Sequence, residues 1–441
     1  MGYQKKLYAL LSVTLLSGIF ALPSAAADIK LFRFFGDCAN DFGTVTDIAK
    51  ATGECGIIQV LTNKFNAENK IGAKVTTQTV DWNAYYDLLS ATYTTNNIPD
   101  VAVMHRSVLP NFASRGLLTP LGADLTNAGV DMKDWVPVAR DAVTVDGKVY
   151  AIPFDVHALL VHVNVDLMKQ AGLVDADGKP IMPKSAEELI EQGKKFKAAT
   201  GKTYIATEAN SSSAMMLRFF DSLVWQQGSD VIAVDGKAST IDTPQGLKAA
   251  ELIKSIFAEG LSNKAFDYAG AEQAFLNGEA GLLLNGTWPV DNYDTQAKSG
   301  KVGLKNYVVT NLPKLFDKDA TWGDDHEWTI PVNANRTPEQ YQAAVAFLKF
   351  LNDNNFEWSR TGHLSVRQSV IDSEAFKALP HRSEYAATAQ AAHALPQIQG
   401  QRAIQDAMLS ELNAIWLTDT DPKAALGQMQ ARVDQIIKRG K

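Results

Sequence analysis

Strand-like and helix-like segments alternate along this chain from Asp28 onward, and this alternation limits the possible fold more than any other feature. Apolar and polar side chains alternate where a strand is expected, and apolar residues recur at helical spacing between those segments. The first predicted elements are a strand at 29–35, a helix at 56–69, a strand at 74–80, a helix at 85–94 and a strand at 101–104. The pattern predicts an α/β fold.

The length of the chain predicts more than one globular unit. A single hydrophobic core stops growing at roughly 250–300 residues, and the chain has 441. We therefore expect two lobes. The formal net charge of −7 is mildly acidic, which argues against nucleic acid as a partner.

The amino terminus has the pattern of a secretory signal peptide. Lys5 and Lys6 precede an apolar run over 7–22, and small residues follow up to Ala27. We expect residues 1–27 to be removed by cleavage after Ala27, which would leave an exported protein.

Cys38 and Cys55 are the two cysteines of the chain. In an oxidising compartment two cysteines this close in sequence are expected to form a disulfide. A pair of buried thiols is the alternative. A two-cysteine metal site is disfavoured, because no histidine is close enough in sequence to complete it.

The segment 275–288 predicts a ligand site. A helix ends near Asn277, a glycine turn follows, and 282–284 reads as a short buried strand. Trp288 comes just after that strand, and open α/β sheets bind ligands beyond the carboxyl ends of their strands. The alternative is that Trp288 is a core residue at a strand end.

Several segments in this order resemble bacterial extracellular solute-binding proteins of family 1, and in particular their sugar-binding, maltose-binding-protein-like branch. The helix, turn, strand and N-G-x-W pattern of 275–288 is one of them. The others are G-K-V-Y-A-I-P at 147–153 with the predicted strand 159–167 after it, W-G-D-D-H-E-W-T-I-P at 322–331, and G-H-L-S-V-R at 362–367. Val163 replaces the usual aromatic residue, and Ser365 stands where proline is usual.

The resemblance implies a two-lobed periplasmic-binding-protein fold of type II. Its lobes are discontinuous, and hinge crossings join them around a ligand cleft. Carried over to this sequence, lobe 1 comprises 28–155 plus 329–360, and lobe 2 comprises 156–328 plus 361–441. The crossings fall near 154–157, 328–331 and 360–364.

The resemblance also implies a function in sugar transport. The chain would be the periplasmic binding component of an ABC-type carbohydrate importer, a monomer that binds a mono- or oligosaccharide. It would deliver the sugar to membrane permease subunits without breaking a bond, and it would need no cofactor.

Candidate ligand-binding residues are aromatic, charged or imidazole side chains near predicted strand ends and crossings, since sugars need flat rings for stacking and directional hydrogen bonds. They are Trp82, His105, Arg106, Asp155, His157, Trp288, His326, Trp328 and His363. Each also has a structural interpretation, such as core packing for tryptophan or a solvated charge for Arg106. The Tyr85-Tyr86 pair invites comparison with iron-binding relatives but fits core packing in an amphipathic helix.

The sequence predicts neither a metal site nor an enzyme. The acids beside His326 are consecutive and rarely converge on one ion, and His157 and His162 point to opposite faces of a predicted strand. The motifs G-x-S-x-G, H-E-x-x-H and C-x-x-C are absent from the sequence. Two alternatives remain, namely a same-fold binding protein for a polyol, polyamine or iron, and a secreted carbohydrate-active enzyme that uses Asp155 with Glu327.

Overall fold

The structure, a computed structural model, describes residues 27–210 and 214–440. The predicted signal peptide thus lies, apart from Ala27, outside the described residues. The strands are β1 Asp28–Arg33, β2 Lys74–Thr79, β3 Val101–His105, β4 Thr144–Val145, β5 Lys148–Val149, β6 Ala151–Asn164, β7 Thr203–Ala206, β8 Ala280–Gly286, β9 Tyr307–Asn311, β10 Thr321–Thr329 and β11 Ala392–His393.

Helices follow or cover these strands along the whole described chain. In the first third they are α1 Ala39–Phe42, α2 Gly53–Glu68, α3 Trp82–Thr95, α4 Leu109–Ala113, α5 Gly122–Asn127 and α6 Pro137–Ala142. In the middle they are α7 Val165–Gln170, α8 Ala186–Thr200, α9 Ala214–Gln226, α10 Pro244–Ala258, α11 Tyr268–Leu276 and α12 Val290–Ser299. Toward the carboxyl terminus they are α13 Pro338–Asp353, α14 Asn355–Ser359, α15 Gln368–Ile371, α16 Glu374–Lys377, α17 Thr388–Ala391, α18 Gln401–Leu417 and α19 Pro422–Arg439.

The main sheet runs through both lobes in the order β2-β1-β3-β10-β6-β8-β7, with β11 beside β10 and β9 beside β6. Strands β1, β2 and β3 pair in parallel, whereas β10 is antiparallel to both β3 and β6. The long strands β6 and β10 therefore connect the two halves of the sheet.

Strands β6 and β10 each pass from one hydrophobic core into another. One end of each strand is buried in the first core and the other end in the second. Phe154 of β6 and Trp328 of β10 pack in a first core, which draws on 27–154 and 328–358. Leu159 of β6 and Trp322 of β10 pack in a second core, built from 159–437. A chain of this length thus forms two lobes, as the sequence predicts.

Local sequence signals account for several element boundaries. Thr337 caps α13 in a full capping box with Gln340, and Ser185 caps α8, which ends at Gly201 in the left-handed conformation. One predicted boundary was wrong. The strand predicted at 159–167 ends at Asn164 in the structure. The Asn164 side chain accepts a hydrogen bond from the Leu167 N–H and starts helix α7 there.

Within 27–210 and 214–440, no helix combines the length and the apolar character that crossing a bilayer requires.

Candidate functional site

A cavity of about 340 Å³ lies between the two lobes. The first lobe contributes side chains from α3, the end of β3 and the segment after it, and the second contributes side chains from α9, β10 and α18. The lining residues are Trp82, Tyr86, His105, Ser107, Val108, Ala214, Leu217, Arg218, Asp221, Trp322, Asp324, Arg402, Gln405, Asp406, Leu409 and Ser410.

Two arginines lie over tryptophan rings in this cavity. The Arg218 guanidinium carbon is 4.0 Å from the ring centroid of Trp322 and 5.4 Å from that of Trp288. Arg402 lies 4.9 Å from the ring centroid of Trp82 on the opposite side. Each lobe therefore contributes a tryptophan to the cavity, and a guanidinium group of the second lobe lies over one face of each ring.

Carboxyl groups complete the polar lining of the cavity. Burial raises the pKa of Asp221 well above its ordinary value, and the charge of Arg218 opposes this. Its Oδ1 atom has no hydrogen-bond partner among the described residues. Asp324 accepts a hydrogen bond of 2.6 Å from the Ser107 hydroxyl, which links the two lobes.

A buried cluster of histidines lies at the hinge, beside the cavity. The ladder of β3, β10 and β6 sets His105 opposite His326 and His326 opposite Asp155. Because side chains at paired positions share a face of the sheet, these three meet, and His157 joins them two residues along β6. The His157 and His326 rings stack with centroids 4.2 Å apart.

Asp155 is the acceptor at the centre of this cluster. Its Oδ1 lies 3.0 Å from His157 Nδ1, and its Oδ2 lies 2.8 Å from His326 Nδ1. The indole N–H of Trp358 donates to the same Oδ2 at 2.6 Å. Three side chains and the His326 backbone N–H thus hold a carboxylate that is completely buried.

His363 enters the cluster from the third crossing. Its Nε2 is 2.8 Å from Glu54 Oε1, and its Nδ1 is 3.1 Å from the Thr287 hydroxyl and 3.8 Å from Asp155 Oδ1. His105 faces the cavity and is held by Tyr86, whose hydroxyl lies 2.6 Å from His105 Nδ1.

Burial and charge act in opposite directions on these groups. Burial tends to raise the pKa of Asp155, but the charges of His326 and His363 hold it well below its ordinary value. Burial tends to lower the pKa of His326, and Asp155 reverses this, so that the pKa of His326 is raised. Burial lowers the pKa of His157 and of His105 well below the ordinary value, so both are neutral at pH 7.

Seven of the nine predicted site residues fall into three groups. Trp82 and His105 line the cavity, whereas Asp155, His157, His326 and His363 form the hinge cluster. Trp288 lies behind Arg218 and donates its indole N–H to the Tyr268 hydroxyl at 2.7 Å.

The remaining two predicted residues lie elsewhere. Trp328 is fully buried in the first core, and its indole nitrogen has no hydrogen-bond partner among the described residues. Arg106 follows β3 and lies near Asp325 and Glu327, carboxyls whose pKa values burial raises well above the ordinary range.

Sequence reasoning missed much of the cavity lining. Trp322 lies in the segment 322–331, one of those that resemble the family. Its aromatic side chain was the signal that could have identified it as a ligand-binding residue. Arg218 and Asp221 lie in an apolar helix, and Arg402 opens another, so no strand end or crossing marked them. Tyr85 donates its hydroxyl to backbone carbonyls of the first core, as core packing requires, while Tyr86 reaches the cavity.

The segment around the cysteines supports the hinge. Cys38 and Cys55 form a disulfide, next to Glu54, which reaches His363. Arg360, in the third crossing, donates to the backbone carbonyls of Ile48 and Ala51 in the same segment. The segment around the cysteines thus contacts the third crossing.

The fold and the interlobe cavity define the class of two-lobed ligand-binding proteins of type II. A family model described as bacterial extracellular solute-binding protein matches residues 61–384. The chain belongs to this family.

Known relatives are distant in sequence, and solved structures of similar fold share equally low identity. A Brucella abortus (strain 2308) protein is 23% identical over 403 residues, which are 90% of this chain and 93% of that protein. The maltodextrin-binding protein of Bacillus subtilis (strain 168) is 24% identical over 266 residues, which are 58% of this chain and 57% of that protein. The GacH receptor of Streptomyces glaucescens GLA.O, solved unliganded and with acarbose, has a TM-score of 0.79 at 19% identity, over 94% of this chain and 100% of that one.

Proposed function

We propose that this chain is the periplasmic binding component of an ABC-type carbohydrate importer and binds a mono- or oligosaccharide between its lobes. The observation that carries the proposal is the pair of tryptophans, Trp82 in the first lobe and Trp322 in the second, that line one cavity. The relatives that bind maltodextrin and acarbose support the choice of solute class.

The lining suits a carbohydrate chemically. A sugar ring packs its C–H face on an aromatic ring and directs its hydroxyls to charged or amide groups at the rim. Arg218, Arg402 and Gln405 are donors in the lining, and the carboxyl groups of Asp221 and Asp324 are acceptors. The volume of about 340 Å³ is near the lower end of ligand pockets, roughly 300–1,000 Å³, and fits a small solute.

Binding would act through closure of the lobes. A ligand shifts an open–closed equilibrium only if it favours the closed state, so it must contact both lobes. The lobes we propose are 28–155 plus 329–360 and 156–328 plus 361–441, with hinges at the three crossings. The closed form would dock on the permease subunits as a monomer after export and removal of residues 1–27.

We propose that no bond is broken. Asp155 and Glu327, the carboxyl pair that an enzyme could use, do not line the interlobe cavity. Asp155 is occupied by the hinge histidines, and burial beside Asp325 raises the pKa of Glu327 well above its ordinary value. Neither group is placed to reach a glycosidic bond in the cavity.

The test is a thermal-shift screen of the purified chain against saccharides, polyols, polyamines and ferric citrate, followed by calorimetry. We expect a saccharide at 100 times its dissociation constant to add about 2.7 kcal/mol of stability. Chromatography of the incubated saccharide should show it unchanged. Stabilisation by a polyamine or iron alone would overturn the sugar assignment, and released product would overturn the binding-only function.

A further inference from the structure

Side chains from all three interlobe crossings converge on one buried point. Asp155 and His157 come from β6, His326 comes from β10, and His363 comes from the turn after α14. One ligand atom from each lies within 4.8 Å of the other three. We propose that these four side chains bind a divalent transition-metal ion of the Zn²⁺ type at the hinge.

The spacing of the ligand atoms is close to what such an ion needs. Zn²⁺ with bonds of about 2.0–2.1 Å places its four tetrahedral ligand atoms about 3.3 Å apart. His157 Nδ1 and His326 Nδ1 lie 3.0 and 2.8 Å from the oxygens of Asp155, and His363 Nδ1 lies 3.8 Å from the nearer one. The widest separation, 4.8 Å, would have to close by about 1.5 Å when an ion binds.

The residues around the cluster hold its ligand atoms in place. His363 Nε2 lies 2.8 Å from Glu54 Oε1, which holds the ring with Nδ1 3.1 Å from the Thr287 hydroxyl and 3.8 Å from Asp155 Oδ1. Metal-binding histidines are commonly fixed by a carboxylate in this way. The indole N–H of Trp358 donates to Asp155 Oδ2, whereas Oδ1 contacts His157 Nδ1 and the His326 backbone N–H. An ion bound through Oδ1 would replace the contact with His157.

The donor set selects the kind of ion. Three imidazoles and one carboxylate suit Zn²⁺, Cu²⁺ or Ni²⁺, whereas Ca²⁺ and Mg²⁺ prefer oxygen ligands. We infer Zn²⁺ because four donors surrounding one point fit its tetrahedral preference.

A bound ion would join the three crossings to one another. It would therefore stiffen the hinge, whichever solute the cavity binds. Sequence reasoning expected no metal because it considered the consecutive acids beside His326, and these do not take part in the cluster.

The test uses untagged full-length protein, stripped with EDTA and titrated with zinc chloride by calorimetry. We expect one Zn²⁺ per chain, and affinity more than 100-fold weaker in His326→Gln and in His363→Gln. Glu54→Gln should weaken it about 10- to 100-fold, since it removes only the orienting carboxylate. His393→Gln, a histidine on β11 outside the cluster, is the matched control and should bind like the parent.

Cobalt(II) gives an independent measurement that does not depend on how well the variants fold. In the parent protein, intense visible absorption from four-coordinate Co²⁺, removed by adding Zn²⁺, supports the site. Absence of stoichiometric binding to the parent, a spectrum of six-coordinate Co²⁺, or unchanged affinity in folded His326→Gln and His363→Gln would overturn it. Saccharide binding is measured separately, so failure here leaves the proposed function untouched.

Discussion

Asp155 Oδ2 and His326 Nδ1 lie 2.8 Å apart and join the two strands that connect the lobes. The pair is buried, and the Trp358 indole N–H shares the same oxygen. Asp155 Oδ1 accepts hydrogen bonds from the His326 backbone N–H and from His157. The hinge is therefore built around one carboxylate, and its removal affects several partners at once.

Asp155→Ala should destabilise EDTA-treated protein by about 3–5 kcal/mol, because removing one partner of a buried pair leaves its donors unsatisfied. Urea denaturation followed by fluorescence measures the loss. Glu68→Ala, which removes an exposed i,i+4 partner of Lys64, is the control and should cost about 0.5 kcal/mol or less. A loss below about 1 kcal/mol for Asp155→Ala would show that the hinge does not depend on this carboxylate.

Trp82→Ala and Trp322→Ala should each weaken saccharide binding by about 2 kcal/mol, roughly thirtyfold, through lost stacking area. Calorimetry with the best saccharide of the screen gives the affinities. Trp225→Phe, in the second core and away from the cavity lining, should leave affinity unchanged. Equal affinities for all three variants and the parent would place the sugar elsewhere.

Trp288→Ala should also weaken saccharide binding, by about 1–3 kcal/mol. Its indole fixes Tyr268, and Arg218 lies between it and Trp322. Comparison with Tyr268→Phe, which removes only the hydroxyl that accepts from the indole, separates lost ring area from a lost hydrogen bond. An affinity like the parent's for Trp288→Ala would remove this residue from the site.

His162 should make the protein less stable in acid. Burial lowers the pKa of His162 to about 3, and its Nε2 donates to the Gly286 carbonyl. The unfolded chain binds a proton at this histidine below pH of about 6.5. The folded chain does not bind one until pH is near 3. Stability is therefore full above pH 6.5 and falls as pH decreases, by at most about 1.4 kcal/mol per pH unit.

The variant His162→Gln isolates this effect. Urea denaturation between pH 7.5 and 5 measures the free energy of unfolding at each pH. In the variant this free energy should fall less steeply with decreasing pH than in the parent, and the difference in slope should correspond to about one proton. Parallel curves would show that the pKa of this histidine is not lowered in the folded state.

Reduction of the Cys38–Cys55 disulfide should lower stability by about 3 kcal/mol, since a loop of 17 residues is released in the unfolded chain. Thermal melts with and without dithiothreitol measure this loss. The double variant Cys38→Ser with Cys55→Ser should melt like the reduced parent and should not respond to dithiothreitol. A reductant-dependent shift in that variant would have another cause.

Local signals in the sequence were sufficient for much of the secondary structure. Capping at Thr337 and Ser185, the glycine stop at Gly201 and the buried run before Trp288 act over a few residues, so the chain encodes them directly. The two-lobed fold also followed from the sequence, through chain length and the order of segments that resemble the family. The end of β6 was misplaced because Asn164 caps a helix that the apolar pattern concealed.

The sites were decided by tertiary structure, because they depend on which distant residues share a face. Sequence reasoning named His105, Asp155, His326 and His363 one at a time, as neighbours of strand ends and crossings. Only the pairing of β3, β10 and β6 brings them to one buried point. Arg218 and Trp322 likewise meet only because helix α9 packs along β10. Local patterns determine elements, whereas register and packing between elements determine which side chains meet.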